Sequence, residues 1–283
     1  MKNLDWEKLA FEFQTTSISL TEMGKREGVD RRTLSKHFKD LGIEIINKQN
    51  RSKFNEHIFD QIDSEEKAYW LGFIFADGYI SSSPLRTGVK KIYQFELSLG
   101  IQDIEHLNKF KDFIGYEKDI ILDNHRCRFA VANKHLWESL NSLGCTPNKS
   151  LSLQFPTIEE ILIPHFIRGY FDGDGCISRH VHNTCVTPHI ELLGTKHMLE
   201  SIVHFSNISA NYKKDKRHSE ETWSLEWNKQ NGIDFINYLY SNCSIYLNRK
   251  YKLYQFFKNG SRSVEEFTEL LSGKNGECLK LES

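Results

Sequence analysis

The 283-residue sequence predicts an α+β protein in two parts, a small all-α N-terminal module and a larger body built from one unit used twice. Three observations predict it. Two closely similar apolar segments, Trp70–Ile80 and Ile167–Ile177, place Asp77 and Asp174 at matching positions 97 residues apart (174 − 77). After each segment, runs of alternating apolar and polar residues are interleaved with runs of helical period. Ahead of the first segment, the capping box Ser19-Leu20-Thr21-Glu22, then Gly28 and Asp30, set out helix, tight turn and helix within residues 1–46.

Composition bounds the class. Hydrophobic residues make up 39% and charged residues 27%, the balance of a folded, water-soluble protein, and the formal net charge of −1 names no partner. Cys127, Cys145, Cys176, Cys185, Cys243 and Cys278 contain no Cys-x-x-Cys pair, which argues against a zinc ribbon or a disulfide frame and for reduced thiols. The polar start Met1-Lys2-Asn3-Leu4 and the lack of a membrane-length apolar run give the expectation of a cytoplasmic protein without membrane partners.

In the module, residues 4–14 predict a short amphipathic helix with Leu4, Leu9 and Phe13 on one side. A second helix starts near Leu20 and ends at Gly28. Asp30 caps a third, Arg31–Leu41, which stops at Gly42. Gly24, Gly28, Val29, Leu34 and Phe38 fall where a helix-turn-helix puts its small, turn and core residues, leaving Arg31, Arg32, Ser35 and Lys36 on the outer face of the third helix. From Lys25 to Lys53 there are nine Lys/Arg against four Asp/Glu. A basic third helix suits the major groove of DNA; the plainer reading is a solvated basic face on a three-helix unit. Residues 47–64 read as a basic linker.

The larger body divides into residues 65–150 and 151–258. Gly72/Ala76 and Gly169/Gly173 lie four apart, so each helix carries a stripe of almost no side chain on one face. Glycine inside a helix costs about 0.5–1 kcal/mol relative to alanine, so two such helices read as close-packed partners. Gly78 and Gly175 read as their C-terminal stops. In the first half, a Ser-rich turn (Ser81–Pro84) and a basic loop (Arg86–Lys91) precede a strand at Ile92–Leu99 and a helix at 103–114. Strands near Ile120–Leu122 and Arg126–Val131 and a helix at Lys134–Leu143 follow. The second half replays the order, with strands from Ile177, at His189–Leu193 and at Thr222–Trp227, and helices at Lys196–Phe205 and Asn231–Tyr240. Residues 259–283 add a short helix from Ser263 to Leu271 and an acidic tail.

Asp77 and Asp174 sit at the negative ends of their helices, where a carboxylate costs up to about 1 kcal/mol, and packing the helices together sets the acids face to face. A divalent cation bridging them offsets both penalties. A single Asp-Gly is more often only a turn; its repetition in the same apolar setting is what favours a site.

The segments Trp70–Gly78 and Ile167–Gly175 resemble the LAGLIDADG motif of homing endonucleases. The second copy, with Asp172-Gly173-Asp174-Gly175, is the closer match; the first carries Phe75 where that family usually has Asp. The resemblance implies a pseudo-twofold pair of αββαββα halves whose two antiparallel sheets form a saddle on double-stranded DNA. With both halves in one chain, the similarity is to the monomeric form. It also implies Mg²⁺, two or more ions, held by Asp77 and Asp174 with the carbonyls of Ala76 and Gly173. Lysines near each centre match Lys149 and Lys250, with solvent-facing loop lysines as the bland reading. Candidate contacts to a long DNA site are Arg86, Lys90, Lys91, Arg126, Arg128, and Lys213 and Lys214 in a basic loop, each of which alone reads more simply as surface charge. Gln102 and Lys196 hold matching places after the second strand of each half. A silent DNA-binding regulator and an RNA-binding maturase stay open as rival functions. An intein is disfavoured, because the splicing nucleophile and terminal His-Asn are missing. His180-Val181-His182-Asn183 superficially suggests another nuclease class but has no matched partner.

Overall fold

The computed structural model describes residues 4–16, 18–43, 45, 53–84, 91–149, 152–182, 185–214, 222–260 and 262–272. The chain divides into two compact units, Met1–Phe54 with Gly115–Lys118, and Asn55–Ile114 with Asp119–Ser283.

The smaller unit holds α1 (Trp6–Thr15), α2 (Leu20–Glu27) and α3 (Arg31–Asp40) around Leu9, Phe13, Leu20, Met23, Leu34 and Phe38. The capping box forms as the sequence predicts: Glu22 N–H donates to Ser19 Oγ at 3.2 Å, and Ser19 N–H to Glu22 Oε2 at 2.9 Å. Gly28 takes φ +72°, which only glycine adopts without strain, and turns the chain toward α3. A Cβ on Gly24 would meet the carbonyl oxygen of Val29 on that turn, so the second glycine serves close approach. Replacing Ser19 by Ala should cost about 1 kcal/mol. Hydrogen exchange should show this as faster exchange of the α2 amides.

The larger unit contains α4 (Glu65–Asp77), β1 (Gly78–Pro84), β2 (Lys91–Gly100), α5 (Ile104–Phe113), β3 (Ile121–Leu122), β4 (Arg126–Ala132) and α6 (Lys134–Ser142). The order then repeats as α7 (Ile163–Asp174), β5 (Gly175–His182), β6 (Cys185–Thr195), α8 (Lys196–Ser206), β7 (Asn211–Lys214), β8 (Thr222–Asn228) and α9 (Lys229–Tyr240). Last come α10 (Asn248–Phe257), β9 (Arg262–Ser263) and α11 (Val264–Ser272). Two antiparallel sheets result, ordered β1-β2-β4-β3 and β5-β6-β8-β7, with β9 added beside β6. The repeat holds at the level of register. Gly78 pairs with Leu97, which pairs with Phe129; Gly175 pairs with Leu192, which pairs with Leu225. Alternation sets the faces: Phe95, Leu97, Leu99, Cys127 and Phe129 are buried, while Gln94, Arg126 and Arg128 lie outside.

Several expectations need correction. Ser81–Pro84 continues β1 instead of turning. Lys213 and Lys214 belong to strand β7, not a loop. Residues 55–64, read as linker, belong to the large unit, and Asn55 N–H donates to Ile114 O at 2.8 Å. Strand β6 runs through Pro188, which lies just beyond the β6–β8 ladder that starts at His189, so its missing N–H breaks no bond there. The five described cysteines are free thiols, and no described helix is long and apolar enough to cross a membrane.

Candidate active site

Helices α4 and α7 meet backbone to backbone. A Cβ on Gly72 would overlap the carbonyl oxygen of Phe166, and one on Gly169 that of Tyr69. At the C-terminal ends, a Cβ on Gly173 would overlap Ala76 and stand 3.1 Å from Asp77 Oδ2. At the N-terminal end of α4, Arg168 Nη2 donates to Glu65 Oε1 at 2.7 Å, while Arg168 Nε and Nη1 donate to the carbonyls of Ile245 and Leu239.

Gly78 and Gly175 do end the helices, but not by the left-handed turn expected of a glycine stop. Their φ values are −75° and −87°, ordinary extended backbone. Each chain turns from helix into strand within one residue, and a Cβ at either glycine would collide with the residue four back, Ile74 or Phe171. Space, not φ, demands glycine here. Asp77 and Asp174 thus share the point where both helices become strands.

Both acids are exposed to solvent, while the protein groups around them take up part of their hydration. This loss of hydration raises the Asp77 carboxyl above its ordinary range, against the pull of Lys250, Lys149 and Arg249. Asp174 is pushed up to about 6, first by burial and then by the negative charge of Asp77. The two carboxylates repel each other and attract positive charge.

The expected lysines arrive at this point and neither floats in solvent. Lys149 Nζ donates to Gly78 O at 2.5 Å and Ala76 O at 3.2 Å. Lys250, buried in α10, donates to Phe171 O at 2.6 Å, Asp172 O at 2.9 Å and Gly175 O. In each half, therefore, an ammonium holds the carbonyl of the glycine after the acid and neutralises the negative helix end. Burial pulls Lys250 down to about 8, opposed by Asp172 and Asp77. Of the expected carbonyl ligands, Ala76 O faces Lys149, and Gly173 lies at the crossing beside Asp77.

The halves differ at the motif position that holds Phe75 in the first copy and Asp172 in the second, to which sequence reading assigned no role. Asp172 is fully buried and accepts from Tyr69 Oη at 2.7 Å, Tyr240 Oη at 2.5 Å and Leu247 N–H at 2.7 Å. His106 Nε2 lies 2.9 Å from Tyr69 Oη; burial holds that imidazole down to about 3, so it is neutral and donates to the tyrosine oxygen. Phe75 takes the matching place in the first half and packs on Phe166. A charged residue inside an otherwise apolar helix was the available signal for both Asp172 and Arg168. Arg249, paired with Asp103 at 3.2 Å beside Asp77, gave no such signal. Replacing Lys250 by Ala leaves three carbonyls and a buried carboxylate uncompensated, and should cost about 3 kcal/mol. Half-exposed Lys149 replaced by Ala should cost about 1 kcal/mol. Urea denaturation measures both.

The other candidates are dispersed over the surface. Arg126 and Arg128 share the outer face of β4, with Arg128 Nη1 3.3 Å from Glu96. Lys91 opens β2, and Lys213 pairs with Glu226 at 2.5 Å on exposed β7 beside Lys214. Arg31, Arg32 and Lys36 are exposed on α3 and Ser35 is half-buried. Arg86 and Lys90 lie outside the described residues. Gln102 is exposed after β2, and Lys196 pairs with Glu200 at 3.6 Å. His180 and His182 lie in β5, with His180 against His189.

Two antiparallel sheets, repeated in register and joined through a glycine-lined helix pair that ends in two acids, define the fold of the LAGLIDADG homing endonucleases. Among solved structures, the chain is similar to I-LtrWI, a LAGLIDADG homing endonuclease bound to target DNA, at 15% identity and TM-score 0.51, covering 77% of this chain and 100% of that one. I-GzeII in complex with its DNA target gives 13% and 0.51, covering 74% and 98%. Meganuclease I-SmaMI bound to uncleaveable DNA gives 13% and 0.50, covering 74% and 98%. No known family profile and no curated protein sequence matches the chain.

Proposed function

We propose that this protein is a site-specific double-strand DNA endonuclease of the homing type, acting as a monomer and using Mg²⁺ held between Asp77 and Asp174. The observation that carries the reading is the meeting of these two carboxylates, one from each half, at the end of the helix crossing, where loss of hydration raises both and the charge of Asp77 adds to the cost of ionising Asp174. Two solvent-open hard-oxygen ligands that disfavour their own charge fit a weakly dehydrated cation such as Mg²⁺. When bound, that cation supplies Lewis-acid stabilisation of the phosphoryl oxygens under attack.

The chain's own residues do the rest. Lys149 and Lys250 hold the carbonyls around each acid and so fix where each carboxylate points. Their ammonium charges act on both acids, and on any phosphate brought to them. Arg126, Arg128, Lys91 and Lys214 on the sheets contact backbone phosphates and groove edges, with Arg31, Arg32 and Lys36 of α3 adding contacts at a further stretch of DNA. A nuclease of this kind serves a mobile genetic element, as in intron homing.

The test is incubation of the full chain with a randomised duplex library, with Mg²⁺ or with EDTA. Mg²⁺-dependent breaks at one long sequence are the expected outcome. Tight recovery of one sequence without a break would instead make the protein a DNA-binding regulator of the same fold.

A further inference from the structure

Away from the acids, one turn and one helix of the large unit bring three metal-ligating side chains to a point. In the turn at residues 55–60, Ile58 and Phe59 are buried, which leaves His57 and Asp60 on the surface. Asn55 Oδ1 accepts from His57 N–H at 3.1 Å and sets the turn. His57 Nδ1 lies 2.8 Å from Asp60 Oδ2. From the first turn of α6, His135 Nε2 lies 2.7 and 3.0 Å from the two Asp60 oxygens. One ligand atom from each of the three residues falls within a 4.8 Å span. Ser139, one helical turn further on, donates to Asp60 Oδ1 at 2.7 Å and fixes the carboxylate. Glu56 flanks the group, 3.8 Å from His57 Nε2, with its other oxygen held by Asn133 Nδ2.

Two imidazoles with ring centres 4.1 Å apart converge on one carboxylate from segments 75 residues apart in sequence (135 − 60). A carboxylate alone can accept an N–H from each ring, but a cation uses the same atoms better. Two nitrogens and one oxygen, with a fourth position open to water, form the ligand set that zinc and its first-row neighbours select, and one that Mg²⁺ does not. In place of the N–H donors, neutral imidazoles present lone pairs at His57 Nδ1 and His135 Nε2, with their protons on the other ring nitrogens. The separations of 2.7–3.0 Å open slightly toward a tetrahedral edge, about 3.3 Å for bonds of about 2.0–2.1 Å. Side-chain exposures of 62%, 38% and 40% leave an ion a path from solvent.

We propose that His57, Asp60 and His135 bind a divalent cation of the Zn²⁺ class, which clips the 55–60 turn to α6. The site is separate from the paired acids and does not depend on the nuclease reading. Co²⁺ is the probe, titrated into the full chain in excess Mg²⁺ and followed by visible absorption and by melting temperature. The wild type is expected to take up one equivalent, with ligand-field bands and a raised melting temperature. His57→Ala and His135→Ala should each abolish both signals, and Ser139→Ala should weaken uptake about tenfold. Asp174→Asn should leave uptake unchanged. His135→Gln replaces the alanine variant if the latter does not fold by far-UV circular dichroism. Absence of stoichiometric Co²⁺ uptake overturns the proposal, as does uptake undiminished in both histidine variants.

Discussion

Replacing Gly169 by Ala is expected to destabilise the protein by about 2–3 kcal/mol. The sign is what makes the prediction discriminating. In an exposed helix the same change stabilises by about 0.5–1 kcal/mol, because alanine loses less backbone freedom on folding. Here the added methyl would land on the carbonyl oxygen of Tyr69, and the mirror change at Gly72 on that of Phe166. Neither obstacle is a side chain that can rotate away; each is helix backbone, so α4 and α7 must separate. Separation also loosens the Glu65–Arg168 pair and the Tyr69–Asp172 hydrogen bond, which span the same crossing. Urea denaturation of Gly72→Ala and Gly169→Ala measures the effect, and a gain in stability in either would show that the helices do not touch as described.

Asp174→Asn is expected to abolish DNA cleavage while stabilising the metal-free fold near neutral pH. Because its carboxyl titrates at about 6 in the folded chain, above the unfolded value, the native state binds the extra proton between the two. Stability therefore falls as pH rises from about 4 to about 6, and the ionised group remains a liability above that. With its solvent contact discounted, the gain on removing the charge is about 1 kcal/mol at pH 7. Melting curves in EDTA from pH 4 to 8 should show the wild type losing stability across that window relative to the variant. Parallel curves would mean that the Asp174 carboxyl is not raised in the folded chain. A site that costs stability when empty of countercharge, and activity when removed, is what function at the expense of folding looks like.

Much of this was legible in the sequence. Small residues at Gly72, Ala76, Gly169 and Gly173 predict a close helix pair, and alternation at Tyr93–Leu99 and Arg126–Val131 predicts strands and their outer faces. The cap at Ser19 and the turn at Gly28 need only local chemistry. Other features depend on tertiary context. Ser81–Pro84 has no alternation to mark it as strand, because it borders solvent and is specified by its pairing with β2. The resemblance puts Lys250 near the centre, with a solvent-facing loop lysine as the plainer reading, and only the carbonyls at the end of α7 explain why it turns inward. Asp172 and Arg168 are burial exceptions whose partners lie far along the chain, at Tyr240, Leu247, Leu239 and Ile245. The His57–Asp60–His135 group joins residues with no spacing signature, and no sequence pattern announces it.

The most direct measurement of the central claim is the position of the cut on each strand of the selected DNA site, read by sequencing both ends. Two acids at one crossing predict one cut per strand, offset by a few base pairs across the minor groove, in Mg²⁺ only. Breaks that persist undiminished in the Asp77→Asn, Asp174→Asn double variant, or bound DNA left intact in Mg²⁺, would contradict it.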